Sequence, residues 1–395
     1  MKEYYIWLLS VMGAANPRSL RLISRFGGVK EAYETLTAGE GEKGFLKPAE
    51  AAALKKSSLD KARELVEWCG KKKYGIITLE DGDYPELLRH IYNPPVLLFT
   101  EGDISGINGE IRINVIGTRA PSEYSFKVAS ALCAALAATG IVIISGMAVG
   151  LDKCAMTAAL DNGGKVAGVL ACGIDMEYPR GSKQFRKLIS DAGGVCVSEL
   201  MPRDSTWPAY FQNRNRLMSG LSSGTLIIEA GERSGCHITA AHAAAQNRDI
   251  FCVPPADIFD PRYSGVTRYL RDGAIPVFSH IDIINEYLPD ISDRISESAQ
   301  PRNLEKPGSV KKQSETVKLS GKPKSVTPQP APKADCSALP EERAKIVEAL
   351  RKKKLTFDEI VRKKLCAEDA AYEILLDMEL DGIIEKVAGD RYAAV

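Results

Sequence analysis

The feature that most restricts the fold is a regular alternation of short apolar runs and helical stretches between residues 76 and 288. The apolar runs are RINVIG, IVIISG, KVAGVLAC, GVCVSE, TLIIEA and DIFCVP. Helical stretches such as SFKVASALCAALAATG and SGCHITAAHAAAQ separate them. Strands that alternate with helices in this way predict a doubly wound, mostly parallel α/β sheet.

Three further segments flank this region. Residues 1–75 show helical apolar periodicity in LRLISRFGG, EAYETL and LDKARELVEWC, which predicts a small helical domain. Residues 289–336 are rich in Pro, Ser and Lys and poor in large apolar residues, which predicts a disordered linker. Residues 337–395 return to helix and end in two apolar runs around Ala388-Gly389-Asp390, a β-hairpin pattern. Three helices and a terminal hairpin fit a winged-helix domain.

The overall composition excludes several classes of protein. With 52 basic and 51 acidic residues the formal charge is +1, so any polyanion must be bound by a local patch. Nine cysteines without a CxxC pair argue against a disulfide framework and against a zinc site. The chain has no signal-peptide pattern and no apolar stretch long enough to span a membrane, which predicts a cytoplasmic protein.

Several predicted strands end in loops that contain glycine, at Gly117, Gly146, Gly150, Gly173 and Gly235. In a parallel sheet the carboxyl ends of the strands share one edge, where ligands bind by default. The amino termini of the following helices favour phosphate there. The loop GTRAPSEYS that begins with the last residue of RINVIG contains a single glycine, Gly117, so the chain lacks a dinucleotide fingerprint. The glycines could also serve only tight turns and close packing.

No arrangement of residues requires catalysis. GLSSG (residues 220–224) matches the nucleophile-elbow pattern, but the helix and strand around it are in the reverse order. His237 and His242 do not share a helix face well enough to bind a metal. Carboxylates near strand ends could act as acids or bases, or could equally cap helices and pair with arginines. We therefore expect no catalytic residues, no metal and no cofactor.

An aromatic residue and two arginines come just before the strand TLIIEA, in the segment FQNRNRLMSGLSSG. Phe211 could stack on a base, and Arg214 and Arg216 could bind phosphates, with Asn215 hydrogen-bonding beside them. Alternatively, Phe211 belongs to the core and the arginines pair with Glu199 and Glu229. The residues alone leave both interpretations open.

The order of six blocks carries a resemblance to a known family. They are GTRAPSEYS, SGMAVGLDKCAMTAAL, GIDMEYP, VSELMP, FQNRNRLMSGLSSGTLIIEAGERSGCHITAAHAAA and NRDIFCVPP. Together they resemble the DNA-processing protein A family (DprA, also called Smf), and both ends of the chain resemble its terminal domains. The resemblance implies a Rossmann-like fold that binds single-stranded DNA in natural transformation, forms a homodimer and helps to load the RecA recombinase.

The resemblance also implies which residues contact DNA. They are Gly117, Arg119, Ser145, Gly146, Phe211, Arg214, Asn215, Arg216, Ser234 and Gly235. The chain departs from the family pattern at Val149, where the family usually has Arg, and at Met156, where it has His. Pro254-Pro255 replaces the usual Pro-Gly. The two polar groups lost at Val149 and Met156 put in question whether all members bind DNA alike.

The terminal domains are expected to contribute less to DNA binding. The N-terminal segment lacks the Gly-x-Gly hairpin of a helix-hairpin-helix, so we expect a weak or auxiliary DNA contact there. The last helix carries Glu368, Asp369, Glu373, Asp377, Glu379 and Asp381. Acidic residues repel a phosphate backbone, so protein contact is the expected role of the winged helix.

Two alternative functions come from other classes. One is a nucleotide-cleaving enzyme that resembles the phosphoribohydrolases on a related scaffold, but the chain lacks their Pro-Gly-Gly-x-Gly-Thr loop. The other is a winged-helix transcription regulator, which the acidic last helix disfavours.

Overall fold

The computed structural model describes residues 1–39, 45–291 and 341–363, and short pieces between 365 and 394. The chain divides into two compact units, Met1–Gln300 and Pro301–Val395. No helix within the described residues is long and apolar enough to cross a membrane.

The first unit is built on a nine-stranded sheet. Its strands in chain order are β1 (Gly75–Thr78), β2 (Leu97–Gly102), β3 (Arg112–Ile116), β4 (Val142–Ser145), β5 (Val166–Val169), β6 (Val195–Ser198), β7 (Gly224–Ile227), β8 (Asp249–Cys252) and β9 (Ile275–Pro276). They lie in the order β1-β2-β6-β5-β4-β3-β7-β8-β9. The six predicted strands are β3 to β8, and all of them pair in parallel. The predicted doubly wound α/β fold is confirmed.

The strand order reverses at β3. From β3 the chain adds β4, β5 and β6 on one side, then returns to place β7 against the other side of β3. In open α/β sheets this reversal leaves a crevice at the carboxyl ends of the two strands. The antiparallel strands β1 and β2, which the sequence analysis did not predict, extend the sheet beyond β6.

Helices cover both faces of the sheet. They are α1 (Lys2–Met12), α2 (Arg18–Phe26), α3 (Val29–Thr37), α4 (Pro48–Lys56), α5 (Leu59–Lys72), α6 (Glu86–Arg89), α7 (Glu123–Ala138), α8 (Leu151–Asp161), α9 (Ser182–Asp191), α10 (Pro208–Gly220), α11 (Cys236–Ala245), α12 (Ser264–Arg271) and α13 (His280–Ile291). Neighbouring strand residues enter different cores, because successive side chains point to opposite faces. Ile143 packs with α7 and α8, whereas Val142 and Ile144 pack with α10 and α11.

The N-terminal helices share a core with the sheet. Tyr5 and Trp7 of α1 are 1% exposed and belong to the same cluster as Val115 and Ile143. The three segments with helical periodicity are helices in the structure, as predicted: α2, α3 and α5. A tight turn at Gly27, with φ of 79°, joins α2 to α3. The carboxylate of Glu31 packs against Gly28 at this turn, which disfavours a phosphate there.

The second unit has the elements of a winged helix. Its described elements are α14 (Glu341–Lys352), β10 (Leu355–Thr356), α15 (Phe357–Arg362), β11 (Ile384–Val387) and β12 (Arg391–Ala394). The strands form an antiparallel sheet in the order β10-β12-β11 around a core that includes Ile346, Leu355 and Ile360. Strands β11 and β12 pair as the predicted hairpin requires.

Some predictions fall outside the described residues. These are the acidic residues of the last helix, the turn Ala388-Gly389-Asp390, and the predicted linker from residue 292 onward. The first three residues of that predicted linker, up to Ile291, belong to α13.

Candidate nucleic-acid interface

Three loops meet at the carboxyl edge of the sheet beside the reversal point. The backbone N–H of Thr118, after β3, donates to the carbonyl oxygen of Glu229, after β7, at 3.0 Å. The N–H of Leu151, after β4, donates to the carbonyl oxygen of Thr118 at 3.2 Å. Ser122 donates from its N–H and its Oγ to Oε2 of Glu229, at 3.0 and 2.7 Å. The loops therefore form one preorganised surface.

Gly150 allows the loop after β4 to lie against Arg119. It has φ of +85°, and a Cβ at this position would lie 2.5–2.6 Å from backbone atoms of Arg119. Any other residue would meet both a disfavoured backbone conformation and a clash with main chain that cannot move aside. The close approach explains why the chain places glycine here.

Arg214 lies inside the protein on α10, a helix that the sequence analysis treated only as a short segment. Its side chain donates from Nη1 to the carbonyl oxygen of Gly146 at 2.6 Å and also to that of Val169. Arg214 is 8% exposed. It joins the ends of β4 and β5 and does not present its guanidinium group to an external phosphate.

Asp152 is the buried acidic neighbour of Arg214. Its carboxylate accepts the N–H of Gly146 at 3.1 Å and of Ala148 at 3.4 Å. Burial raises the pKa of Asp152, and the charge of Arg214 opposes this shift. Burial also lowers the pKa of Arg214 to about 10; the charge of Asp152 opposes that shift, whereas the nearby Arg119 adds to it. Arg119 packs against Gly150 and Arg214 bonds the carbonyl oxygen of Gly146, so both arginines contact the loop after β4.

Arg216 is also buried, and its partner is acidic. Its Nη2 donates to Glu199 Oε1 and Oε2 at 2.7 and 2.5 Å, and it is 7% exposed. Its Nε and Nη1 have no hydrogen-bond partner among the described residues. Glu199 also accepts the N–H of Ala15 at 3.0 Å, which ties the loop after α1 to α10. Of the two predicted acidic partners, Glu199 pairs with Arg216, whereas Glu229 is bound to Ser122.

Arg119 and Phe211 remain at the surface of the edge. Arg119 is half-buried and forms no ion pair in the part of the chain that the structure describes. Phe211 is half-buried, and its ring centroid lies 5.4 Å from that of Tyr178 at an interplanar angle of 68°. Trp207, one helical turn before Phe211, is 53% exposed. We call Tyr178, Trp207 and Phe211 the aromatic platform. The blocks EYP and TWPAYF contained the signal for the two aromatic residues that the sequence analysis did not select.

The other predicted site residues have local structural contacts. Ser145 is fully buried and donates to the carbonyl oxygen of Val115 at 2.7 Å. Asn215 accepts from Nε of Arg214 at 3.3 Å, and Oγ of Ser234 accepts the N–H of Cys236 at 3.2 Å. Gly117 packs against Leu151, and Gly235 is exposed at the start of α11. The structure therefore brings Gly117, Arg119, Gly146 and Arg214 together, with only Arg119 as a surface cation.

Comparison with known proteins decides the family. The family model described as DNA recombination-mediator protein A matches residues 75–288, and the model described as DprA winged helix domain matches residues 328–390. The chain belongs to the DNA recombination-mediator protein A family.

Relatives and a solved structure agree with this assignment. The chain is 35% identical to the DNA processing protein DprA of Bacillus subtilis over 214 residues, which cover 54% of this chain and 71% of the relative. It is 27% identical to the protein Smf of Synechocystis over 99% of this chain and 98% of the relative. The X-ray structure of DNA processing protein A from Streptococcus pneumoniae matches with a TM-score of 0.63 at 28% identity, covering 72% of this chain and 98% of that structure.

The two departures from the usual DprA pattern lie in different environments. Val149 is 51% exposed in the loop after β4, so it changes the surface of the edge. Met156 is fully buried in the core and presents nothing to the crevice. The expectation that both changes remove a polar group near the crevice is therefore corrected for Met156, which lies in the core.

The structure also describes the GLSSG segment and eight of the cysteines. GLSSG joins the end of α10 to the start of β7, so the helix does precede the strand. The eight cysteines that the structure describes are free and buried. Burial raises the pKa of the Cys172 thiol to about 11 and that of Cys196 to about 12, which makes them poor nucleophiles.

We expect the stability of this DprA chain to fall in mild acid through His242. Burial lowers the pKa of His242 below its ordinary value of 6.5, and the charge of Arg216 lowers it further. The unfolded chain thus binds a proton near pH 6.5 that the folded protein does not, so the free energy of unfolding decreases as the pH falls through this value. His242→Gln should reduce the loss of stability between about pH 7.5 and about pH 5.5 in denaturant titrations. The exposed His90→Gln serves as the control, and an unchanged pH dependence in His242→Gln would contradict the assignment.

Proposed function

We propose that this chain binds single-stranded DNA along the carboxyl edge of its sheet, from the reversal point to the aromatic platform. The observation that carries the proposal is a half-buried cation, Arg119, packed against the loop after β4, together with the paired rings of Tyr178 and Phe211, at the default ligand edge of the fold. Arginine binds phosphate with bidentate geometry, and aromatic rings stack on bases of any sequence.

The site favours a single strand over a duplex for a physical reason. Base faces are available for stacking in a single strand but are hidden between neighbouring bases in a duplex. In this proposal the buried Arg214 and Arg216 hold the strand ends and α10 in place, and Arg119 and Phe211 contact the DNA. The glycines at 117, 146 and 235, with Ser145, Asn215 and Ser234, shape the loops around it.

The proposed role is that of a mediator without a catalytic step. Membership of a recombination-mediator family supports a function in DNA uptake and recombination, in which the chain forms a homodimer and delivers the strand to the RecA recombinase. Such a role places the chain in the cytoplasm. The winged helix would serve protein contact.

A gel shift with matched single-stranded and double-stranded oligonucleotides tests the proposal. We expect tighter binding of the single strand at every salt concentration, and no release of base or phosphate in a parallel nucleotide-hydrolysis assay. Equal affinity for both forms of DNA, or turnover of nucleotide, would contradict it.

Replacing Phe211 tests the aromatic platform. We expect Phe211→Ala to weaken single-strand binding by roughly 1–3 kcal/mol, because one stacking surface is lost. The dependence of affinity on salt should stay that of the wild type, because no phosphate contact changes. Phe278→Ala, which removes an aromatic ring that is 78% exposed beyond β9, is the matched control and should bind normally. Equal losses in the two variants would show that Phe211 has no special role.

A further inference from the structure

A cavity of about 380 Å³ opens between the N-terminal helices and the loop after β6. Residues of α1, α4 and α5 line it, together with Met201. Its volume lies within the range of small-molecule sites, about 300–1,000 Å³. The lining, all of it in the described part of the chain, includes none of the residues proposed to contact DNA. A ligand in this cavity would therefore bind independently of DNA at the carboxyl edge.

The interior of the cavity is mainly apolar. Its apolar wall residues are Ile6, Ala53, Ala62, Leu65 and Met201. Two of the three serines in the lining donate their hydroxyl hydrogen within the protein: Ser10 to the carbonyl oxygen of Trp7 and Ser57 to that of Leu54, each at 2.7 Å. They therefore have no hydrogen left to donate to a ligand. The wall thus suits a hydrocarbon group that needs no hydrogen-bond partner.

The polar groups of the lining that remain available are cationic or donate hydrogen bonds. Lys56 and Lys61 are exposed, and neither forms an ion pair among the described residues. Ser58 accepts the N–H of Asp60 at 3.2 Å, which leaves its hydroxyl hydrogen for another partner. The lining contains no carboxylate. A ligand with an apolar body therefore meets favourable charge only if its polar end is an anion.

We propose that this cavity binds a small amphiphile, with an apolar chain of several carbons and one anionic head group. The chain packs against Ile6, Leu65 and Met201. The head group lies between the ammonium groups of Lys56 and Lys61 and accepts the hydrogen bond of Ser58. Long lysine side chains suit this position because their stems cover apolar surface while their charges stay in water.

Calorimetric titration of the full chain with octanoate tests the proposal, with octylammonium as the probe of opposite charge. We expect octanoate to bind at least about tenfold more tightly than octylammonium, and to raise the melting temperature as its concentration rises. The double variant Lys56→Glu and Lys61→Glu should lose about tenfold in affinity, because two attractive charges become repulsive. Lys55→Glu is the matched control, since Lys55 is an exposed neighbour on α4 that does not line the cavity.

Filling the cavity gives a second test. Ala53→Phe places a ring among the apolar wall residues and should abolish octanoate binding while the variant without ligand melts as the wild type does. If that variant does not fold, the lysine variants still test whether the cavity binds the anion, because they change only surface charge. The proposal is overturned by equal affinity for octanoate and octylammonium, by an equal loss in Lys55→Glu, or by the absence of heat at millimolar octanoate.

Discussion

Replacing Glu199 by alanine is expected to lower the free energy of unfolding by about 3–5 kcal/mol, because a buried cation loses its partner. The side chains of Arg216 and Glu199 are only 8% and 10% exposed. Within the residues that the structure describes, Nε and Nη1 of Arg216 already have no hydrogen-bond partner, so no described group compensates for the lost carboxylate. The N–H of Ala15 also loses its acceptor, so the loop after α1 loosens as well. Urea titration of the variant and the wild type measures the difference.

A surface ion pair provides the control for this effect. Glu123 and Lys127 lie 2.6 Å apart on α7, with side chains that are 84% and 72% exposed. Glu123→Ala should cost only about 0.3–0.5 kcal/mol, as exposed helical pairs do. If Glu199→Ala costs no more than Glu123→Ala, the Arg216–Glu199 pair does not hold α10 in place.

Replacing Arg214 by alanine is expected to destabilise the fold by a similar amount, about 3–5 kcal/mol at neutral pH. The change removes the donor to the carbonyl oxygens of Gly146 and Val169, and with it the nearby positive charge that opposes the cost of burying the carboxylate of Asp152. The buried group does not reach DNA, so the fraction of the variant that folds should keep the wild-type salt dependence of single-strand binding.

Two measurements on the same Arg214→Ala preparation separate the structural role from a direct DNA contact. Melting temperature reports the buried network, and the slope of affinity against salt reports phosphate contacts. A variant that melts as the wild type does but shows a flatter salt slope would mean that Arg214 leaves its buried position to bind phosphate.

The strands of the sheet could be predicted because their residues are buried on both faces. A parallel strand covered by helices is rich in apolar residues, so RINVIG, IVIISG and TLIIEA can be recognised as strands from the sequence, even though RINVIG contains the buried polar residues Arg112 and Asn114. Helix α10 could not be predicted in this way. Its buried positions include Arg214 and Arg216. Arginine is normally exposed, so the polar sequence FQNRNR does not indicate a helix that packs into the interior.

The candidate site was predictable in location but not in the roles of its arginines. Glycine loops after successive strands indicated the carboxyl edge, because all parallel strands end there. Whether an arginine binds a phosphate or a buried carboxylate depends on what the fold brings beside it. Glu199 lies on a different element from Arg216, and Arg214 binds carbonyl oxygens of two separate loops. No local pattern contains these contacts, so both interpretations stayed open until the fold was known.

In the proposed function, Arg119 is the cation at the carboxyl edge of the sheet that binds a DNA phosphate. The most direct test is the slope of log affinity for a single-stranded oligonucleotide against log salt concentration, for Arg119→Ala beside the wild type. A cation that neutralises one phosphate contributes about 0.7 to this slope. We predict that Arg119→Ala melts as the wild type does, binds all sequences more weakly, and shows a slope flatter by about 0.7. An unchanged slope in a variant that melts early would contradict the claim and would assign Arg119 to the fold.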